Sequence, residues 1–270
     1  MPAGAPPITT PVPLSSRRPA LDVRDLRVTY GSSVAVDGIA LDVREGEIFG
    51  LLGPNGAGKT SALSAIEGLV RPNAGSIMVG DVDARSDPLG AKAQMGVQLQ
   101  STSFHADLTI LQILRLYAGL YGLKLTENQL RDRLTEIDLQ ADASKRFREL
   151  SGGQQQRLSL VISTIHDPPL ALLDEPTAGL DPQSRRQLWD RIEGFRKAGH
   201  SVLLTTHSME EAQAVCDRVA IMDHGKILTV DTPAGLIKTH RDDPRVREVA
   251  HGDVTLEDVF IGLTGRQTHG

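Results

Sequence analysis

The spacing of apolar residues changes twice along the chain, and each change predicts a different kind of secondary structure. From Leu21, apolar and polar residues alternate in "LDVRDLRVTYG" and again in "ALDVREGEIFG", which predicts antiparallel strands. Between Leu108 and His166, apolar residues recur at helical spacing in "LTILQILRLYAGLYG", "TENQLRDRLTEIDL" and "GGQQQRLSLVISTI". After the prolines at 168 and 169, short apolar runs alternate with helical patterns, which is typical of a largely parallel sheet with crossover helices. The sequence therefore predicts an α/β fold that contains a helical insertion.

These patterns also suggest how the chain is divided. We expect residues 1–20 to be a disordered lead-in, because they are proline-rich and lack the continuous apolar core of a signal peptide or anchor. Residues 21–235 form the α/β domain, with a helical subdomain at about residues 101–167, and residues 236–270 form a short C-terminal extension. That extension ends in a predicted helix whose apolar residues share one face: Leu256, Val259, Phe260 and Leu263.

Charge and composition narrow the classes of function. The net charge of −5 and the pI near 5.9 argue against a nucleic-acid partner, whose phosphates are usually met by a basic face. No apolar run approaches the ~20 residues that span a bilayer, so the chain is not expected to be transmembrane. The single cysteine, Cys216, excludes an internal disulfide framework and suits a reducing cytoplasm; we expect it to be a small buried residue.

A glycine-rich stretch, "GPNGAGKTS", directly follows the apolar run "EIFGLL". It matches G-x-x-x-x-G-K-[ST], in which glycines let backbone N–H groups approach an anion and the following helix presents its N-terminus. Lys59 is expected to reach the β- and γ-phosphates of a nucleotide, and the Thr60 hydroxyl to hold Mg²⁺. A glycine-rich surface turn is the alternative. The predicted nucleotide contacts are Gly53, Pro54, Asn55, Gly56, Ala57, Gly58, Lys59, Thr60 and Ser61.

With this loop, the predicted fold class becomes a P-loop NTPase core. It has a mixed, largely parallel sheet, antiparallel N-terminal strands and an inserted helical subdomain.

Two acids end the apolar run "LALLDE". Carboxylates at the end of a buried strand are costly unless a charged group meets them. In a P-loop nucleotidase, Asp174 would reach Mg²⁺ and Glu175 would polarise the attacking water. Taken alone, the pair is more typical of the start of a solvated loop.

A second glycine-containing segment, "LSGGQQQR", begins a predicted helix. Ser151 and the backbone of Gly152 and Gly153 offer another place for an anion, although Ser151 is also a normal helix cap. One triphosphate does not need two such elements from the same chain. The duplication is explained if the second element serves a nucleotide held by another subunit.

The order of these motifs along the chain resembles that of the nucleotide-binding subunit of an ATP-binding cassette (ABC) transporter, from about Leu21 to Pro233. In that family two cassettes hold two ATP molecules head to tail, and each site combines the Walker motifs of one subunit with the signature of the other. The resemblance thus makes residues 21–235 the cassette. The matching features are Tyr30, "GPNGAGKT" (Walker A), "LQSTS" with Gln100 (Q-loop), "LSGGQ" with Ser151, Gly152, Gly153 and Gln154 (signature), "LALLDE" (Walker B), "AGLD" with Asp181 (D-loop) and His207 (H-loop).

The resemblance implies roles for residues whose own patterns leave alternatives open. Tyr30 would stack on adenine, or it is an ordinary strand residue. His207 would contact the γ-phosphate, or it caps the helix that follows. Asp181 would bond across the dimer, or it only begins the helix at Pro182.

The Q-loop has two candidate residues, Gln98 and Gln100. Alternation in "GVQLQ" leaves Gln100 last, at the strand end where the family has its metal- and interface-sensing glutamine. The expected catalytic residues are therefore Glu175, His207 and Gln100, and the expected metal ligands are Thr60, Gln100 and Asp174.

The resemblance implies an ATPase that needs ATP, Mg²⁺, a second cassette in a homodimer and a separate membrane-spanning permease. It places the protein on the inner face of the cell membrane. "GDVTLEDVFIGLTG" resembles the end of ABC-2 type exporters of the daunorubicin- and multidrug-resistance group, although the segment before it is shorter here. Export is therefore expected, with an importer subunit as the alternative. A soluble ABC ATPase of DNA repair or translation would carry further modules, and a small-molecule kinase would not need "LSGGQ".

Overall fold

Two β-sheets form the framework of the molecule, and helices lie beside them. The computed structural model describes residues 17–98 and 104–265. Most of the expected N-terminal lead-in and the residue Gln100 lie outside these ranges. In chain order the elements are β1 (Pro19–Tyr30), β2 (Ser33–Arg44), β3 (Ile48–Leu52), α1 (Lys59–Ile66), β4 (Ala74–Val79), β5 (Val82–Asp83), α2 (Pro88–Ala93), β6 (Met95–Gln98), α3 (Ile110–Leu120), α4 (Glu127–Thr135), α5 (Gly152–Ser163), β7 (Leu170–Asp174), α6 (Pro182–Lys197), β8 (Ser201–Thr206), α7 (Met209–Val215), β9 (Arg218–Asp223), β10 (Lys226–Asp231), α8 (Pro233–His240), α9 (Pro244–Val249) and α10 (Leu256–Thr264), with short 3₁₀ turns at Gln140–Asp142 and Phe147–Glu149.

The larger sheet is mixed and largely parallel, as predicted. Its strand order is β10-β9-β3-β8-β7-β6. The pairs β9–β3, β3–β8, β8–β7 and β7–β6 are parallel, whereas β10 is antiparallel to β9. Every residue of β3, β7 and β8 is buried, because other elements cover both faces of this central sheet.

The N-terminal strands form a second, antiparallel sheet with the order β2-β1-β4-β5. The segment "GSIMVG" belongs to this sheet as β4, paired with β1. It therefore does not join the sheet that carries the glycine loop. From Ile39 to Val43 of β2, buried residues alternate with the exposed Ala40 and the half-buried Asp42, which leaves one face of this sheet for the core and one toward solvent.

Three clusters of buried apolar residues correspond to the parts of the fold. One lies between the antiparallel sheet, α1 and one face of the mixed sheet. The second covers the opposite face, where α6, α7 and the C-terminal helices pack. The third belongs to the segment between residues 104 and 165 alone, which supports our proposal of a helical subdomain at about residues 101–167.

The C-terminal extension packs through the face expected from its sequence. Leu256, Val259 and Phe260 of α10 are fully buried, and Leu263 packs against the same cluster in part. Cys216 is buried in this cluster as well, as predicted. Within the described ranges, no helix combines the length and the apolar character needed to cross a bilayer.

Candidate functional site

The glycine loop connects a buried strand to a helix, as predicted. It runs from the end of β3 at Leu52 to the start of α1 at Lys59. Gly58 has a φ of 105°, and a Cβ there would collide with the carbonyl oxygen of Ala35. A Cβ on Gly53 would collide with the carbonyl oxygen of Met222. Only glycine fits these two positions, so the loop closes tightly over the helix N-terminus.

Lys59 is folded back across the loop that precedes it. Its ammonium donates to the carbonyl oxygens of Gly53 (2.8 Å) and Pro54 (3.2 Å), and it lies 3.4 Å from Glu175 Oε1. Only 4% of the side chain is exposed. Burial lowers the pKa of Lys59, while the carboxylates of Glu175 and Asp174 oppose that shift. The cation therefore lies inside the loop, where an anionic ligand would replace the carbonyl oxygens as its partners.

Thr60 and Asp174 form a pair of oxygen groups where α1 begins and β7 ends. Thr60 Oγ1 lies 3.4 Å from Asp174 Oδ1, which also accepts a short hydrogen bond from the hydroxyl of Thr205. Within residues 17–98 and 104–265, no group of three or more His, Cys, Asp or Glu side chains could hold a metal by itself. Mg²⁺ commonly takes one or two protein oxygens and completes its shell with phosphate oxygens and water, so this pair fits it.

Glu175 lies between Lys59 and His207. Its Oε2 is 3.3 Å from His207 Nδ1, whereas its other oxygen, Oε1, is the one next to Lys59. The Glu175 backbone has a φ of 46°, which is uncommon for a residue other than glycine, and its N–H donates to the hydroxyl of Thr205 (3.0 Å). The side chain is buried, whereas His207 is partly exposed. The carboxylate thus connects a buried cation to a histidine at the surface.

The "LSGG" segment caps α5. The Ser151 hydroxyl accepts from the N–H of Gln154 (3.3 Å), and Gln154 Oε1 accepts from the N–H of Ser151 (2.9 Å). Gln154 Nε2 also donates to Asp142 (2.8 Å). Ser151 and Gly152 are exposed at the N-terminus of this helix. In this chain the segment therefore bonds to its own subdomain and presents its open end to solvent.

Other predicted site residues lie apart from the Lys59–Glu175–His207 group. Asp181 caps α6 by accepting from the N–H groups of Gln183 and Ser184, each at 3.0 Å. Tyr30 is half-exposed at the end of β1, and Ala35 of the next strand packs on the glycine loop. Their roles toward nucleotide and dimer stay predictions. Gln100 lies outside the described residues, and its role stays a prediction too.

The interpretation of His207 as a helix cap is wrong. Ser208 caps α7, because its hydroxyl accepts from the N–H of Glu211 (3.2 Å). His207 is the residue between the end of β8 and this cap. Its side chain is left to face Glu175.

Sequence reasoning missed several polar contacts around the site. Thr205 bonds both acids of "LALLDE", and Gln98 Nε2 donates to Gln156 Oε1 of α5 at 2.6 Å. Glu211 is buried beneath the His207 loop. The available signal was the pair of threonines that ends the apolar strand "SVLLTT", since neighbouring parallel strands place their carboxyl ends together.

Glu67 is a buried acid at the C-terminal end of α1. It is 4% exposed, and its Oε2 has no hydrogen-bond partner among the described residues. Burial is the main cause that raises the pKa of Glu67 from 4.5 to about 7; Asp174 adds to the rise and Lys92 opposes it.

The raised pKa of Glu67 should make the free energy of unfolding depend on pH. The unfolded chain loses the Glu67 proton near pH 4.5, but the folded chain keeps it to about pH 7. The free energy of unfolding should therefore fall as pH rises through this window, by about 3 kcal/mol in total. Urea titrations at pH 5 and pH 8 should show that Glu67→Gln removes this part of the decrease. Glu248→Gln, at an exposed glutamate, is the control and should show the same decrease in the free energy of unfolding as the wild type. Equal pH dependence in wild type and Glu67→Gln would contradict the assignment.

Comparisons with known proteins agree with this geometry. The ABC transporter family matches residues 36–178. Nod factor export ATP-binding protein I of Cupriavidus metallidurans is 37% identical, over 92% of this chain and 98% of that protein. Doxorubicin resistance ATP-binding protein DrrA of Mycobacterium tuberculosis is 36% identical, over 91% of this chain and 75% of that protein. A solved ATP-binding subunit of an ABC transporter superposes with a TM-score of 0.78 at 27% identity, covering 90% of this chain and 99% of that one.

Proposed function

The chain belongs to the ABC transporter family, and from that premise we propose that it is the ATP-hydrolysing subunit of an exporter that drives a separate membrane-spanning subunit. The observation that carries this proposal is the convergence of Lys59, Thr60, Asp174, Glu175 and His207 at the end of the mixed sheet. The likeness to a solved ATP-binding subunit supports ATP as the nucleotide.

The contacts of these side chains suggest how each acts on ATP. Lys59 exchanges its bonds to loop carbonyls for oxygens of the β- and γ-phosphates. Glu175 polarises the attacking water and accepts its proton, and His207, 3.3 Å from that carboxylate, contacts the γ-phosphate. Thr60 and Asp174, with Gln100, would hold Mg²⁺, which neutralises charge on the phosphates.

The complete site requires a second copy of the chain. Among the residues that the structure describes, the exposed N-terminus of α5, with Ser151 and Gly152, bonds only within its own subdomain or is open to solvent. A helix N-terminus of this kind favours an anion. We therefore place the Ser151 segment of one subunit over the nucleotide held by Lys59 of the other, so that ATP joins two cassettes.

The relatives support export as the direction of transport. One carries export in its name, and the other is named for doxorubicin resistance. The importer alternative gains no support from these relatives. We place the protein at the cytoplasmic face of the membrane, attached through its permease.

The exposed face of α3 is the surface we assign to the permease. Leu116, Leu120 and Tyr121 are large and exposed on or next to this helix of the insertion. Solvent-facing apolar side chains grouped in this way often mark an interaction site. This position in the insertion would let the closing of the cassette dimer move the membrane subunit.

Membrane recovery tests this assignment. In cells that co-express the permease, most of the wild-type protein should sediment with membranes, and deletion of the permease should release it. Leu120→Asp should lower the membrane-bound fraction several-fold, because it places a charge in an apolar interface. Leu228→Asp, at an exposed leucine of β10, should not. Tight membrane binding without the permease would refute dependence on that partner.

A further inference from the structure

Glu211 is a buried carboxylate in the first turn of α7, directly beneath the His207 loop. It is 1% exposed. Its Oε1 accepts from the hydroxyl of Thr177 at 2.9 Å and from the indole N–H of Trp189 at 3.1 Å. Three separate segments of the chain therefore meet at one side chain, although none of the sequence motifs includes it.

On one side, residue 211 bonds both neighbours of His207, through its side chain to Thr206 and through its backbone N–H to Ser208. Its backbone N–H donates to the hydroxyl of Ser208 at 3.2 Å. The Ser208 N–H donates in turn to Thr206 Oγ1 at 2.9 Å. Burial raises the pKa of Glu211, and the hydrogen bond between its side chain and Thr206 opposes that rise. His207 lies between these two residues, so the Glu211 side chain acts on the His207 loop through Thr206, whereas the Ser208 cap uses only the backbone N–H of residue 211.

On the other side, Glu211 holds the segment that follows Glu175. Thr177 is buried and lies two residues after that acid. Its carbonyl accepts from the N–H of Leu180 at 3.2 Å, and Asp181 then begins α6. Trp189, the second donor to Glu211, is in the middle of α6.

We propose that Glu211 is a positioning residue for ATP hydrolysis, which keeps the His207 loop and the Glu175–Asp181 segment in one relative arrangement. This rests on the proposed ATPase function. Lys59 and Thr60 lie on α1, outside this network, so their hold on the nucleotide does not depend on Glu211. The loss of Glu211 should therefore affect turnover rather than binding.

Kinetics of Glu211 variants test the proposal. Glu211→Ala should lower kcat for ATP about 10- to 100-fold with little change in KM, since small misplacements of reacting groups have effects of this size. Glu211→Gln retains an acceptor oxygen for Thr177 and Trp189 and should recover most of the rate. Glu210→Gln is the control. This neighbour is exposed, pairs with Arg185 at the surface and should leave kcat unchanged.

Trp189 supplies a second readout, because it is the only tryptophan of the chain. ATP should change the fluorescence of wild-type Trp189 through the Glu211 network. In Glu211→Ala that change should be lost, although equilibrium dialysis still detects bound ATP. If Glu211→Ala does not fold, Thr177→Val, which removes one bond to the same carboxylate, replaces it with the same expected loss of kcat at unchanged KM.

The outcomes separate the two proposals. A wild-type chain without ATPase activity would overturn the proposed function and this inference with it. An active wild type, with a folded Glu211→Ala variant that has the same kcat and the same ATP-induced fluorescence change, would overturn the inference alone. Parallel changes in kcat and KM that follow only the loss of thermal stability would also overturn it.

Discussion

Replacement of Glu175 by glutamine is expected to slow ATP turnover by ~10²–10⁴-fold while ATP still binds, the usual range for a positioned acid/base group. Glutamine has nearly the same size as glutamate. The backbone N–H of residue 175 still donates to the Thr205 hydroxyl in the variant. It removes the negative charge that lies 3.4 Å from Lys59 Nζ and 3.3 Å from His207 Nδ1. On the proposed mechanism, the variant therefore loses the group that polarises water but keeps the loop that binds phosphate.

Single-turnover hydrolysis and ATP binding should be measured on the same preparation. The Glu175→Gln variant should bind ATP and accumulate as an ATP-bound dimer in size-exclusion chromatography. Glu257→Gln, at an exposed acid of α10, should keep near-normal turnover. Unchanged turnover in Glu175→Gln would remove Glu175 from the mechanism.

Replacement of Lys59 by alanine is expected to abolish ATP binding. The ammonium is the buried cation inside the glycine loop, and its three oxygen neighbours are two carbonyl groups and one carboxylate. Without it, the phosphates would face these oxygens with only backbone N–H groups to offset their charge. Equilibrium dialysis should detect no binding, whereas Lys197→Ala, at an exposed lysine of α6, should bind normally. Normal ATP affinity in Lys59→Ala would contradict the assignment of the loop.

Mixing this variant with Ser151→Arg should restore activity. In the composite site that we propose, every nucleotide needs Lys59 from one chain and Ser151 from the other, so each variant alone should form dimers with two damaged sites. A mixed dimer gathers both lesions into one site and leaves the other intact. With random pairing, about a quarter of the sites recover, since half of the dimers are mixed and each has one intact site of two.

Local patterns made part of this account predictable from the sequence. The spacing of Gly53, Gly58 and Lys59 after an apolar strand predicts the loop, because the backbone geometry it requires is local. The same holds for Ser151 as the cap of α5; the structure adds the reciprocal bond from the Ser151 N–H to Gln154, three residues on. The predicted α/β fold and its mixed sheet are confirmed. They were predictable because the periodicity of strands and helices shows within short stretches of sequence.

Contacts between distant segments could not be predicted in this way. The pairing of β4 with β1, which creates a separate antiparallel sheet, depends on a register between strands about fifty residues apart. The partners of Glu211 are 34 and 22 residues away in the chain. In "SMEEA" the two acids look alike, but the helix turns Glu210 to solvent and Glu211 to the interior. The packing of α7 against α6 decides which of the two acids is buried.

ATP-dependent cross-linking between two chains tests the composite site most directly. One chain carries Asn55→Cys in the exposed glycine loop, and the other carries Gly152→Cys, where an added Cβ meets no atom within 4 Å. Both also carry Glu175→Gln so that ATP persists, and the native Cys216 is buried. The account predicts a cross-linked dimer when the two proteins are mixed with ATP, and none without ATP or in a Lys59→Ala background. Absence of the cross-link between folded, ATP-binding chains would contradict the shared site.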